Sequence, residues 1–343
     1  MKDTKIAWCD HTFNPWIGCA KVSPGCDNCY AEAMDKRFGG GHYGRGAPRK
    51  RTSAANWRQP VKWMLDYEKQ CHDECTASDS TVTHAPRPKV FSGSLCDWLD
   101  DEAPVGWLAD LLALIHDTPN LDWLLLSKRP ENFLPRIKRV EQFAFDERIR
   151  DMAVKFAEWR DGTPPPNVWI GTTVENQEMA DKRIPELLKI PAKVRFLSVE
   201  PMLGPVDLWG AKYKTAGKAG MTGAVTSWEG HGVDWVICGG ESGANARPMH
   251  PDWARGLRDQ CAAAGVPFFF KQWGEWRDIE DIKEYGVDLL TCKYKGESEI
   301  SINGRSPATV TEVDGCCFIR MGRERAGRLL DGAEHSAFPE ARQ

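Results

Sequence analysis

The sequence predicts an α/β fold: a partial or complete (β/α) barrel followed by a small C-terminal appendage. Three observations predict it. Short β-rich runs ending in polar clusters recur seven times along the chain, most of them followed by a helix-like stretch. The strand runs are continuously apolar rather than alternating, as in a parallel sheet covered by helices. The βα rhythm then stops near Trp276, dividing the chain into a barrel over 1–276 and an appendage over 277–343. At 343 residues the chain can bury such a core. A doubly wound open sheet accommodates the same units and stays open as the alternative.

The elements follow in order. "KIAW" (5–8) reads as the first strand, ahead of a cysteine loop over 14–32 and a helix from about Cys29 to Phe38. A polar, Pro-ended insertion at about 64–87 precedes "PKVFSGS" (88–94), and the helix "VGWLADLLALIHD" (105–117) shows one apolar face. "DWLLLSKRP" leads into a helix over 131–143, "NVWIGTTVEN" into one over 177–190, and "VRFLSVEPM" into a Gly/Pro-broken connection. Residues 211–231 are Gly/Ala/Thr-rich and read as a mobile loop. "VDWVICGGES" leads into a helix over 251–265 that Gly265 stops, and "VPFFFKQWG" is the last strand. The appendage carries short strands, one final helix, and the adjacent Cys316 and Cys317, which read as packed there.

Composition bounds the function. No apolar run is long enough to span a bilayer, and "MKDTKIAWCD" lacks the basic-then-apolar pattern of a secretory signal. Twelve cysteines without the framework of a small secreted domain point to a reducing cytoplasm. The net charge is −4, yet residues 1–62 hold eleven Lys/Arg against five Asp/Glu, a balance of +6 that leaves −10 for the remainder. "RGAPRKRTSAANWRQPVK" (45–62) concentrates that charge around Trp57. It reads either as a solvated loop or as a nucleic-acid-contacting arm.

The chemistry begins at "NPWIGCAKVSPGCDNCYAEAMDKRF" (14–38), which places Cys19, Cys26 and Cys29 within eleven positions. Pro24-Gly25 turns the chain so that Cys19 can fold back toward the other two. Asp27 is placed to cap the following helix, whose positive end favours a thiolate at Cys29. Three thiolates from one loop can hold three irons of a [4Fe–4S] cluster and leave the fourth iron for a small molecule. Two alternatives stay open: a structural zinc, completed by Cys9 or His11 as a fourth ligand, and plain buried thiols.

At this triplet the sequence resembles the phage-encoded and bacterial three-cysteine-motif proteins, a family of uncharacterised phage proteins similar to divergent radical S-adenosylmethionine enzymes. The resemblance covers nearly the whole chain, including "VFSGSLCDW" (90–98), "LLSKRPENF" (125–133), "VWIGTTVEN" (168–176), "FLSVEPMLGPV" (196–206), "DWVICGGESGANARPMHP" (234–251) and "VPFFFKQWGEW" (266–276). It implies a barrel of radical-SAM type and a [4Fe–4S] cluster on Cys19, Cys26 and Cys29. It also implies S-adenosylmethionine chelated to the unique iron and cleaved to a hydrogen-abstracting radical. The phage context implies residence in the host cell cytoplasm, and the electron would come from a reductase or partner protein. Two departures mark this chain. Six residues separate the first two cysteines where the superfamily usually has three, and the aromatic between the last two is displaced to Tyr30. The "GGE" motif falls at Gly239–Glu241 after the sixth strand rather than after the second.

Barrel chemistry gathers where strands end. Those ends are polar here: Ser92 and Ser94, Ser127 to Arg129, Thr172 and Thr173 with Glu175, Ser198 and Glu200, Glu241 and Ser242, Lys271 and Gln272. Each alone is explained as a helix cap or surface charge; together they describe a mouth for a polar, charged ligand. The cofactor side is assigned to Tyr30, Ser92, Ser94, Thr172, Gly239, Gly240 and Glu241, and catalysis to Lys128, Glu200 and Lys271. Arg247 is placed to meet a carboxylate or phosphate. Tyr30 and Cys96 are chemically able to donate hydrogen. Trp8, Trp16, Trp57, Trp98 and Trp273 fall near strand ends or the basic segment, where an indole can stack a base. The reading is an iron–sulfur enzyme acting on a nucleic acid or nucleotide, in modification or repair. Its rivals are a nucleic-acid-binding protein with structural zinc, and a barrel keeping a cluster for stability or electron transfer.

Overall fold

The computed structural model describes residues 4–77, 85–209, 224, 232–284, 289–294, 297–302 and 309–340. The predicted loop at 211–231 therefore lies outside the described residues apart from Ala224, and so does the stretch 78–84 of the predicted insertion.

Seven strands form one sheet: β1 (His11–Phe13), β2 (Lys89–Ser92), β3 (Asp122–Ser127), β4 (Val168–Thr173), β5 (Val194–Val199), β6 (Trp235–Gly239) and β7 (Phe268–Gln272). Each pairs in parallel with the next in chain order. Sequential parallel order is that of a (β/α) barrel; a doubly wound sheet reverses its order at a switch point. β1 and β7 are the two edges, so the barrel is partial. Helices α1 (Tyr30–Arg37), α2 (Gln59–Ala77), α3 (Val105–His116), α4 (Phe133–Asp146), α5 (Arg150–Arg160), α6 (Gln177–Leu187) and α7 (Pro251–Ala264) lie between the strands. α3 buries Leu108, Leu111, Leu112 and Ile115, the three-and-four spacing of one face. Gly265 ends α7 in the left-handed region, φ 66°, as its position predicts. None of the described helices is long and apolar enough to cross a membrane.

The apolar runs conceal an alternation between two cores. Val90, Trp123, Leu125, Val168, Ile170, Leu197, Val236 and Phe270 pack in the cluster shared with the helices. Their neighbours Phe91, Leu124, Trp169, Phe196, Trp235, Ile237 and Phe269 form a separate inner cluster. Successive strand residues face opposite ways, so both faces of every strand need apolar side chains. The inner parity continues toward the strand ends through Thr173, Ser198, Gly239 and Lys271.

Three corrections concern the elements. Residues 5–8 are not a strand; Trp8 is buried against Phe91, 4.6 Å between ring centroids, and closes the inner core, while β1 begins at His11. An apolar run buried as a plug carries the same signal as one buried in a sheet. The predicted insertion opens as helix, since α2 runs to Ala77 and its Trp63 stacks on His11 at 4.4 Å. The chain beyond the appendage returns to the barrel: Ser336 bridges Phe269 on the β7 edge, and Phe338 lies 5.0 Å from Trp235. The appendage contains a three-stranded antiparallel sheet of Trp276–Asp278, Cys316–Arg320 and Val310–Val313, a two-stranded antiparallel pair of Leu289–Tyr294 with Glu297–Ile302, and short helices at Ile279–Glu284 and, last, Arg323–Ala326. Cys316 packs there with its Sγ 3.1 Å from His250 Nε2.

Candidate functional site

The cysteine loop leaves the C-terminal end of β1. Its first part pairs Trp16–Ile17 with Lys50–Arg51 and then runs beside the β2 end, Gly18 bridging Cys96. Gly18 has φ 106°, and a Cβ there would stand 2.0 Å from the His42 carbonyl oxygen, so only glycine fits. Pro24–Cys26 makes one 3₁₀ turn, and Cys29 occupies the N-cap of α1 without a side-chain capping bond. Asp27 does not cap the helix as predicted; its carboxylate faces Arg247 at 3.5 Å. Cys26 is buried and Cys19 and Cys29 half-buried, and all three are free thiols. Burial, reinforced by the Asp97 charge, pushes the Cys19 thiol up to about 12.

The loop is held by the ends of four strands. Beyond β2, Ser94 O accepts from the Tyr30 hydroxyl at 2.7 Å and Leu95 O from Gly18 N at 2.9 Å. Asn14 joins in, donating to Ser94 Oγ at 2.9 Å and accepting from Leu95 N at 2.7 Å. Beyond β3, the buried Arg129 donates to Asp97 at 2.8 Å and to the Ala20 carbonyl. Beyond β4, Glu175 accepts from Gly25 N at 3.0 Å and from Arg183 at 2.8 Å, both ionic partners being fully buried. Burial alone would raise Glu175, but the Arg183 charge and the bonds from Ser23 and Gly25 outweigh it and hold the carboxyl below its usual range. Beyond β6, Glu241 accepts from Arg247 Nη2 at 2.7 Å and Asn28 Nδ2 at 3.1 Å, while Arg247 also donates to Pro24 O at 2.9 Å.

This changes the roles of several predicted residues. Glu241, expected at a cofactor, is engaged by Arg247 and Asn28; Glu175 and Arg129, expected to face an open mouth, grip loop backbone. Ser94 likewise holds Tyr30 and Asn14. Thr172 donates to Ser127 O at 2.8 Å, and Lys128 is fixed through its backbone N–H, which donates to Asp97 at 3.0 Å. Ser92 is buried, and its hydroxyl has no hydrogen-bond partner among the described residues. At Gly240 a Cβ would fall 1.8 Å from Trp273 O, so that glycine serves the packing of β6 against the β7 loop. The tryptophan expectation is corrected too: Trp8, Trp16, Trp98 and Trp273 are core residues. So, in part, is the basic arm. Arg49 is buried against Asp100 at 2.6 Å and Glu102 at 2.9 Å, and Arg51 meets Asp110 at 2.6 Å and stacks on Trp57.

The other two strand ends behave differently. Glu200 after β5 and Lys271 on β7 pair at 3.0 Å, and Ser198 reaches Glu200 at 3.4 Å. Gly239 lies between them; a Cβ there would stand 2.7 Å from Glu200 Oε1. Thr173, on the same inner face, is buried, and its hydroxyl has no partner among the described residues. The predicted residues thus form two groups, a gripped cysteine loop and an inner acid–base pair. The gripping partners Asn14, Asn28, Asp97 and Arg183 were missed, because a sequence shows that a residue is polar but not which backbone group it meets.

Among the described residues no group of three or more His, Cys, Asp or Glu side chains gathers as the ligands of a metal ion. Cys19, Cys26 and Cys29 are three free thiols on one short loop, each able to ligate a metal singly. The chain matches no curated protein and no solved structure. It belongs to the family described as Protein of unknown function (DUF5131), whose model matches residues 3–339.

Proposed function

We propose that the chain is an iron–sulfur enzyme of radical S-adenosylmethionine type, acting on a nucleic acid or nucleotide substrate. The observation that carries this reading is the free three-cysteine loop lashed across the C-terminal mouth of a parallel (β/α) sheet by four strand ends. The loop backbone is thereby held in place, so loading a cluster would require ordering of the three cysteine side chains rather than of the loop. Cys19, Cys26 and Cys29 would hold a [4Fe–4S] cluster, with Tyr30 beside it on α1. A cluster held there would supply reducing power for the cleavage of S-adenosylmethionine.

The remaining roles belong to side chains of this chain. Glu200 and Lys271 form an ionic pair suited to exchange partners with a zwitterionic aminocarboxylate, the carboxylate meeting its ammonium and the ammonium its carboxylate. The glycine at 239 leaves backbone space beside them, and the unpartnered Thr173 hydroxyl adds a donor and an acceptor. The positive balance of residues 1–62 supports a polyanionic substrate. The experiment is cleavage of S-adenosylmethionine by anaerobically reconstituted protein under dithionite. Formation of 5′-deoxyadenosine, lost in Cys26→Ala, is the expected result. A reconstituted cluster with no cleavage would leave an electron-transfer or structural role and remove the radical chemistry.

A further inference from the structure

Helix α1, directly after the cysteine loop, presents an apolar stripe to solvent. Tyr30, Met34 and Phe38 are 57%, 39% and 80% exposed. Their spacing of four puts them in one line on the helix, spanning about 12 Å from the first to the last. The opposite side is fixed: Ala31 is buried, and Asp35 accepts from His42 N at 3.0 Å and meets His42 Nδ1 at 2.8 Å. The stripe therefore cannot roll inward to hide.

Its surroundings are cationic. Arg37 lies on the same exposed side of α1, and Arg45 is exposed on the segment that Gly44 ties to Cys19 O at 3.0 Å. Neither guanidinium has a hydrogen bond or ion pair among the described residues, in contrast to Arg49 and Arg51, which are engaged. Aromatic faces at the surface beside unpaired guanidiniums are the two components of a single-strand platform: bases stack on any ring, and arginines meet phosphates or stack themselves. Aromatic, Met and Arg side chains also suit a protein partner, but two exposed arginines without carboxylate partners favour a polyanion.

We infer that the outer face of α1 binds single-stranded nucleic acid, with a base stacked on Phe38 and phosphates at Arg37 and Arg45. This deepens the substrate reading above and rests on it. A strand lying there runs along the rim of the cysteine loop and reaches the mouth without entering the core.

The test is fluorescence anisotropy of a labelled 12-nucleotide single-stranded DNA, and of the matching RNA, with the full chain between 50 and 200 mM salt. Phe38→Ala is expected to weaken binding at least fivefold, and Phe38→Tyr to restore it. Arg37→Ala combined with Arg45→Ala should flatten the salt slope by about one to two. Phe145→Ala, at an exposed site at the end of α4, serves as the control without effect. Phe38 is on the surface, so its loss leaves the fold intact, checked by circular dichroism. Wild-type binding that none of these variants changes overturns the α1 platform and leaves the substrate class standing. A wild-type chain that binds neither strand at 50 mM salt overturns the nucleic-acid reading and the platform with it.

Discussion

At the ends of β2, β3, β4 and β6, polar groups reach up to the cysteine loop; at the ends of β5 and β7, Glu200 and Lys271 reach each other. The residue types are the same, and their order along the strands gives no hint of the division. The difference lies in what is satisfied. Glu175 and Glu241 each accept from a guanidinium and from a loop N–H or amide, so neither is free to take a ligand without letting the loop go. Glu200 and Lys271 are partly exposed and hold only a simple ion pair with a serine nearby. A polar strand end is thus evidence of a mouth, while its partners decide whether it positions or reacts.

The largest expected effect is at the gripping side. Glu175→Ala leaves Arg183 buried without its partner and should destabilise the fold by about 3–5 kcal/mol, read by urea unfolding. Because the folded carboxyl is depressed, its stabilisation is present at neutral pH and lost as the pH falls through the folded value. Glu175→Gln should remove that part of the acid dependence; an unchanged profile would separate Glu175 from the loop's stability.

The floor of the barrel titrates in the opposite sense. Burial raises Asp122, at the start of β3, to about 6, despite the nearby charges of Arg87 and Lys89. Its favourable contribution is complete below the unfolded value and lost as the pH rises through about 6. Asp122→Asn should therefore gain stability at pH 8, by at most about 3 kcal/mol, and little at pH 4. A loss at pH 8 would show that the charged form is the one the fold favours.

Smaller effects sharpen the contrast between the two sides of the mouth. Arg247→Ala removes the links from Glu241 to Pro24 and should speed amide exchange across residues 20–29, for about 1–3 kcal/mol of local stability. Lys271→Met should cost about 1 kcal/mol or less, since the pair is partly exposed, yet should abolish S-adenosylmethionine cleavage. If Lys271→Met instead unfolds the protein while keeping turnover in the surviving fraction, the functional division of the mouth is wrong.

Much of the barrel was legible in the sequence because its periodicities are local. Six of the seven strand runs stand where the apolar segments put them, and Gly265 stops α7 as its type dictates. The exception is instructive: Trp8 and its neighbours are as apolar as a strand, and only the tertiary fold makes them a plug. α5 escaped notice because its polar face and its closeness to α4 blur one helix into the other. The loop containing the cysteines was legible as a unit, but its fastening was not. Arg129 and Ala20 are 109 residues apart, and Arg247 and Pro24 are 223 apart. Such pairings follow from the closing of the sheet, which no local pattern encodes. Arg49 and Arg51 misled for the same reason, their acidic partners lying on and before α3.

The most direct measurement is the paramagnetic spectrum of anaerobically prepared, dithionite-reduced protein, recorded with and without S-adenosylmethionine and paired with iron and sulfide analysis. About four irons and four sulfides per chain are expected, with a reduced-cluster signal that shifts when S-adenosylmethionine is added. Stoichiometric zinc without sulfide, or a cluster retained after Cys19, Cys26 and Cys29 are all replaced by alanine, would contradict it.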